Sequence, residues 1–368
     1  MTDLYRFDFG VDEAEEGYTK ITLNDRYSPS RTYGFVRADK ISALNRGEGG
    51  TLRRDFIIPY EASFIVDVPD GIYTVTALLG DEHAATETTI KTGEGRLVVH
   101  KLRTGSGQYV RTSFSVWVTG GRLALVFGGL APRLNALEIS HTPQTCTIFL
   151  AGDSTVTEQP TDGYPYAGWG QMLPLFVKAD AAVANYALSG RSSKSFIGEG
   201  HLDAIWSRIK PYDYLLVQFG HNDQKFDEAR HTEPFTTYQE TLMRYIHGAR
   251  ERNAFPVLLT PVHRRFYEDD GTLRDTHGDY ATAVRELAGR EGVPLVDLAA
   301  KSKELFERLG PEGTRSIFMQ LAPGEFMNFP EGVNDNTHFQ EHGAIQVAGL
   351  VKEGLQQLGL QPLMLYLR

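Results

Sequence analysis

The hydrophobic pattern of the chain changes character once. Up to about residue 142 the apolar residues fall in short runs, among them LYRFDFG, YTKITL, FIVDV, YTVTALLG, TETTIKT, RLVVHKL, SFSVWV, LALVFGG and LNALEIS. Turn signals such as PDG, TGEG, GSG and TGG separate them. Short runs rich in β-branched and aromatic residues at this spacing predict an all-β sandwich over residues 1–142. Its aromatics Tyr73, Phe114 and Trp117 stand where core residues would, so this part is expected to be chiefly structural. Beyond the polar, Pro-containing stretch HTPQT (141–145), strand-like runs alternate with longer amphipathic ones. Strands are predicted at 147–153, 182–188, 213–219, 255–260 and 294–298. Helices are predicted at 165–177, 199–209, 233–252, 277–290, 300–309 and 341–358. Such alternation predicts an α/β domain over 143–368, with a parallel sheet and helices on both faces. Residues 311–337 show no period and are expected to form a long functional loop.

Short apolar runs read as buried parallel strands, and ligands bind just beyond the carboxyl ends of such strands. TIFLAGDST (147–155) therefore delivers Ser154 to a crevice. VANYALSG ends at Gly190, YLLVQFGHND carries Asn222, and NDNTHF carries Asp335 and His338. A hydroxyl, a glycine amide, a carboxamide, a carboxylate and an imidazole together make an inventory for acyl transfer. Singly, each has an ordinary reading. Ser154 can cap a helix, Gly190 can merely permit a turn, and Asn222 can bond its own backbone. An Asp-His pair can be a surface hydrogen bond or half a metal site. No H-E-x-x-H and no second ligand cluster accompanies that pair, and no G-x-S-x-G elbow occurs. His342 is read as covering the last helix. In D-x-x-H the spacing of three sets both side chains on one side of a tight turn. Asp335 can then hold Nδ1–H of His338, leaving Nε2 to take a proton from Ser154. Amides at Ser154 and Gly190, with the Asn222 carboxamide, would form an oxyanion hole.

The blocks GDST, NYALSGRSSKSF, VQFGHND and DNTHF resemble the four blocks of the SGNH (GDSL-like) hydrolase superfamily. RSSKSF after the glycine, GHND, and the GWGQ that comes after the first block resemble the rhamnogalacturonan acetylesterase family, over roughly residues 147–358. The resemblance implies a flavodoxin-like three-layer α/β/α fold. It makes Ser154 the nucleophile, His338 the base, Asp335 its orienting carboxylate, and Ser154, Gly190 and Asn222 the oxyanion hole. The all-β part resembles a galactose-binding-like domain. The function implied by these resemblances is that of a serine esterase acting on acetylated pectic oligosaccharides, with no metal and no organic cofactor. An acetylxylan, other carbohydrate or lipid esterase, or a non-catalytic carbohydrate-binding protein, remain as alternatives.

Around these blocks, Arg191, Lys194 and Lys225 are candidates to meet a galacturonate carboxylate, or else solvated charges. Tyr164, Tyr166 and Trp169 can stack on sugar rings or pack internally. His221 is either a partner of the site or a core imidazole. Apolar residues at 41% and charged residues at 23% are ordinary for a globular protein. A net charge of −10, from 37 basic and 47 acidic residues, disfavours nucleic acid and anionic membranes as partners. No apolar run reaches the length of a membrane span. Cys146 is the single cysteine, so no intrachain disulfide can form. MTDLYRFDFG shows no signal-peptide pattern, so a cytoplasmic location and an imported oligosaccharide are expected. The sequence does not specify an oligomeric state.

Overall fold

Two burial rhythms run along the strands of the computed structural model, which describes residues 4–368. They accompany a division into two units, Met1–Thr145 with Val177–Ala182, and Cys146–Phe176 with Val183–Arg368.

In the first unit, Ala62–Asp67 alternates buried and half-buried residues, the rhythm of an antiparallel strand with one face on a core. Two five-stranded sheets result. One runs in the order Gln108–Val118, Gly71–Asp81, Ala136–His141, Leu4–Phe9 and Thr19–Ile21. The other runs Tyr33–Val36, Ala62–Asp67, Arg122–Ala131, Thr86–Thr92 and Arg96–Thr104. Inner faces of both contribute to one apolar cluster that includes Phe7, Phe9, Phe35, Phe64, Phe114 and Phe127. Its rings meet edge to face, as in Phe9–Phe64 with centroids 5.0 Å apart. Tyr73 and Phe114 belong to this cluster, and Trp117 is also buried. A 3-10 turn, Ala38–Lys40, and a short α-helix, Thr51–Arg54, interrupt a stretch expected to be wholly β.

In the second unit the strands are buried without alternation, as Tyr214–Gln218 shows over all five residues. That is the mark of a parallel sheet covered on both faces. Its strands are Cys146–Gly152, Ala181–Asn185, Tyr214–Gln218, Phe255–Leu259 and Leu295–Val296. In space, Ala181–Asn185 lies outside Cys146–Gly152, and the other three lie on the opposite side in chain order. This is the flavodoxin-like 2-1-3-4-5 arrangement, whose switch point lies at the first strand. Ser154 comes just after that strand.

Several predicted elements differ in extent. The helix expected at 165–177 is a short strand Tyr166–Ala167, a helix Trp169–Met172 and a 3-10 turn Leu173–Phe176, because Pro165, Gly168 and Pro174 prevent a continuous helix. The helix expected at 199–209 is two helices, Ser193–Gly198 and His201–Trp206, divided at Gly200, which has φ +80°. Its true start is a capping box inside RSSKSF, with Ser192 Oγ accepting from the Ser195 amide at 3.1 Å. Residues 311–337 are not a structureless loop. Phe318–Leu321 and Val333–Gln340 pair antiparallel, and Tyr166–Ala167 completes a three-stranded sheet.

Candidate active site

Asp153 makes the turn that presents the hydroxyl of Ser154. Fully buried, its Oδ1 accepts the amide and hydroxyl of Thr155 at 2.9 and 2.8 Å. Its carbonyl accepts the amides of Val156 and Thr157, each at 3.0 Å. Glutamine side chains then fix the turn from outside. Gln159 Nε2 donates to the Ser154 carbonyl at 3.0 Å, and Gln218 Nε2 donates to Thr155 Oγ1 at 2.8 Å. GWGQ packs directly on this turn. A Cβ at Gly168 would lie 2.2 Å from the Thr157 carbonyl, so only glycine allows the approach.

His338 reaches Ser154 from the antiparallel strand Val333–Gln340, not from a parallel strand tip. Phe339 pairs with Phe318 and Asn334 with Gln320, so residues 335–338 bulge out of the ladder opposite Met319. Asp335 shapes the bulge, its Oδ1 accepting the amides of Thr337 at 2.7 Å and His338 at 3.1 Å. Its Oδ2 lies 2.6 Å from His338 Nδ1, and His338 Nε2 lies 2.8 Å from Ser154 Oγ. Burial pushes the Asp335 pKa up, but the bond from His338 and the two amides outweigh it, leaving the carboxyl below its ordinary value. The ring of Tyr166 stands edge-on to His338 with centroids 5.1 Å apart. Its phenol, pushed well above its ordinary pKa by burial and then by the Asp335 charge, interacts with Ser154 and Ser189.

Gly190 comes after Ser189 with φ +80°, a left-handed conformation that suits glycine. Among the described residues, the amides of Ser154 and Gly190 donate to no protein acceptor. Asn222 Nδ2 donates to the Arg191 carbonyl at 3.0 Å, tying the GHND tip to the segment after Gly190. A carboxamide carries two donor hydrogens, so one is left for a ligand.

The residues expected at the rim divide. Lys225 lines an open groove with His221. Arg191 is paired with Glu199, Nη2 to Oε2 at 2.8 Å. Lys194 donates to the Glu228 carbonyl at 2.6 Å. Tyr164 is exposed at 44%. Trp169 is 1% exposed, and its indole N–H donates to Gln218 Oε1 at 3.0 Å. Of the two readings open to it, sugar stacking or internal packing, the structure shows the packing one. His221 is buried, with Nδ1 3.2 Å from Asp153 Oδ2. Burial pushes its pKa down against the pull of Asp153, so it is neutral at pH 7. His342 is exposed on the first turn of the helix Glu341–Gln357.

Several residues around the site went unremarked in the sequence, among them Asp153, Gln159 and Gln218, and also Asp223 and Arg264. Asp223, last in GHND, accepts the amides of Ser193 at 3.1 Å and Gly220 at 3.0 Å, and so joins two strand tips. Its place inside the quoted block was the available signal. Arg264 lies in the polar run HRRF, where nothing distinguishes it from a surface arginine.

Residues 150–344 match the family model of the GDSL-like lipase/acylhydrolase family. Residues 5–139 match a model described as the galactose-binding-domain-like part of β-agarase/YXIM esterase-like proteins. The chain is 46% identical over 213 residues to the rhamnogalacturonan acetylesterase RhgT of Bacillus subtilis, covering 58% of this chain and 90% of that protein. It is 31% identical over 374 residues to the uncharacterized esterase YxiM of the same organism, covering 97% of this chain and 92% of the relative. The crystal structure of YxiM superposes with a TM-score of 0.54 at 30% identity, covering 98% of this chain and 99% of that one.

Proposed function

Because the chain belongs to the GDSL-like lipase/acylhydrolase family, we propose that it is a serine esterase removing acetyl groups from acetylated pectic oligosaccharides of the rhamnogalacturonan type. The observation that carries this reading is the relay from Asp335 Oδ2 through His338 to Ser154 Oγ, with its two contacts of 2.6 and 2.8 Å. Similarity to RhgT supports the acetyl and pectic parts.

His338 Nε2 takes the Ser154 proton as Oγ attacks the acetyl carbonyl, and Asp335 steadies the imidazolium. Negative charge on the carbonyl oxygen is met by the Ser154 and Gly190 amides and the spare Asn222 N–H. Each such donor contributes about 3 kcal/mol, roughly a hundredfold or more in rate. The sugar oxygen departs with the proton from His338. Water, deprotonated by the same imidazole, then releases acetate from the acyl-serine. Serine acyl transfer of this kind requires no cofactor.

The test is acetate release from acetylated rhamnogalacturonan and acetylated xylan by the wild-type protein and by Ser154→Ala. Release from the pectic substrate that falls at least about a thousandfold in the variant is expected. An unaltered rate in Ser154→Ala overturns the assignment, and preference for xylan overturns the pectic reading.

A further inference from the structure

A groove of about 460 Å³ is lined by residues that include His221, Gln224, Lys225, Arg264, Phe266 and Thr337, the last adjoining His338 in the chain. We propose that this groove binds a uronate residue of the substrate, with Arg264 as the principal partner of its carboxylate and Lys225 as a second cation. The proposal rests on the deacetylase reading above and extends it to the residue that selects acidic glycans.

Arg264 is held in place without being neutralised. Its Nη1 donates to Thr276 Oγ1 at 3.1 Å, to the Thr276 carbonyl at 3.3 Å and to Gln224 Oε1 at 3.4 Å. Its Nη2 donates to the His221 carbonyl at 3.2 Å. All four acceptors are uncharged, and among the described residues no carboxylate forms an ion pair with it; the buried Asp153, bonded to His221, acts on it only through charge at a distance. Several other arginines are paired with carboxylates, as in Arg191–Glu199, Arg274–Glu268 and Arg285–Asp297, while the neighbouring Arg265, like Arg264, is held by neutral acceptors, Asn336 Oδ1 and the Pro311 carbonyl. A half-buried guanidinium fixed by neutral acceptors retains its charge for a ligand, and its fork matches a carboxylate. Lys225, exposed on the same groove, likewise has no ion-pair partner among the described residues.

A second feature comes from His221. Only 4% exposed, it bonds Asp153 through Nδ1, while its buried Nε2 has no partner. In a neutral ring whose Nδ1 donates to a carboxylate, Nε2 is an acceptor, suited to a hydroxyl. Phe266, 38% exposed, adds an aromatic face to the groove. Cation, acceptor and aromatic face together fit a ring bearing a carboxylate and hydroxyls. A neutral sugar would leave the guanidinium unmatched.

Arg264→Gln and Lys225→Ala are to be compared with wild type on an acetylated acidic oligosaccharide and on the same oligosaccharide after reduction of its carboxyl groups. Trigalacturonate binding to Ser154→Ala, and to Ser154→Ala carrying Arg264→Gln, is measured by calorimetry. Losing a charge-assisted bond predicts a fall in kcat/KM on the acidic substrate about 10- to 100-fold larger than on the reduced one for Arg264→Gln. A smaller bias in the same direction is expected for Lys225→Ala, whose exposed side chain makes folding failure no obstacle. Arg191→Ala, already paired with Glu199, should show no bias. Equal losses on both substrates, or trigalacturonate binding unchanged by Arg264→Gln, overturn the proposal. If wild type deacetylates no glycan, the deacetylase reading fails, and the binding measurement alone decides the groove.

Discussion

Asp335 holds His338 twice. One carboxylate oxygen accepts the His338 backbone amide at 3.1 Å, and the other meets the ring at Nδ1 at 2.6 Å. The Thr337 amide supplies a third bond, at 2.7 Å. The same side chain therefore sets the backbone of the bulge, the direction of the imidazole and its tautomer.

Asp335→Asn separates these duties. Its carbonyl oxygen can still accept both amides, so the bulge survives, but its NH₂ faces Nδ1 and reverses that hydrogen bond. The ring then carries its proton on Nε2 and donates to Ser154 where it should accept. Turnover of an aryl acetate is expected to fall by about a thousandfold to ten-thousandfold with the melting temperature nearly unchanged. Retention of more than about a tenth of wild-type kcat would remove Asp335 from the mechanism.

How much of this was legible in the chain depends on where each residue's partners lie. Parallel strands such as Tyr214–Gln218 were readable because burial on both faces leaves an unbroken apolar run. Ser154, Gly190 and Asn222 were readable as polar tips of such runs. Val333–Gln340 was not readable as a strand. Asn, Asp and Thr fill it, and its pairing depends on Phe318–Leu321 and on Tyr166–Ala167, far back in the chain. Charges were harder still. Arg191 is paired with Glu199 across one short helix, whereas Arg264 forms no ion pair and feels the Asp153 charge only from a distance. Pairing is a property of the folded molecule, which composition and spacing do not encode.

Trp169 anchors a buried relay that runs to the nucleophile turn. Its indole N–H bonds Gln218, Gln218 bonds Thr155 Oγ1, and that hydroxyl bonds Asp153, at 3.0, 2.8 and 2.8 Å. Trp169→Phe leaves Gln218 Oε1 buried without a donor and creates a cavity. The expected cost is about 2–4 kcal/mol, read as a lower urea midpoint. The loss of activity should be similar on an aryl acetate and on a glycan. A variant of normal stability whose KM rises only for glycan would return Trp169 to the sugar-stacking role.

Asp223 supplies a pH dependence of stability with a definite sign. Burial raises its pKa to about 6, despite the bonds it accepts from Ser193 and Thr232. An unfolded aspartate titrates near 3.9. Below about pH 4 both states hold the proton and the contribution to stability is complete. Between about pH 4 and 6 the unfolded chain ionises first, so stability falls as pH rises through the folded value. At pH 7 the loss approaches about 3 kcal/mol from this group. Asp223→Asn imitates the protonated acid, and the hydroxyls of Ser193 and Thr232 can turn to accept from its NH₂. Urea midpoints at pH 4.5, 5.5 and 6.5 should decline less in the variant than in wild type, a comparison that cancels the opposing titration of Asp335. Identical pH profiles would mean that Asp223 is ionised throughout, held so by the Ser193 and Gly220 amides.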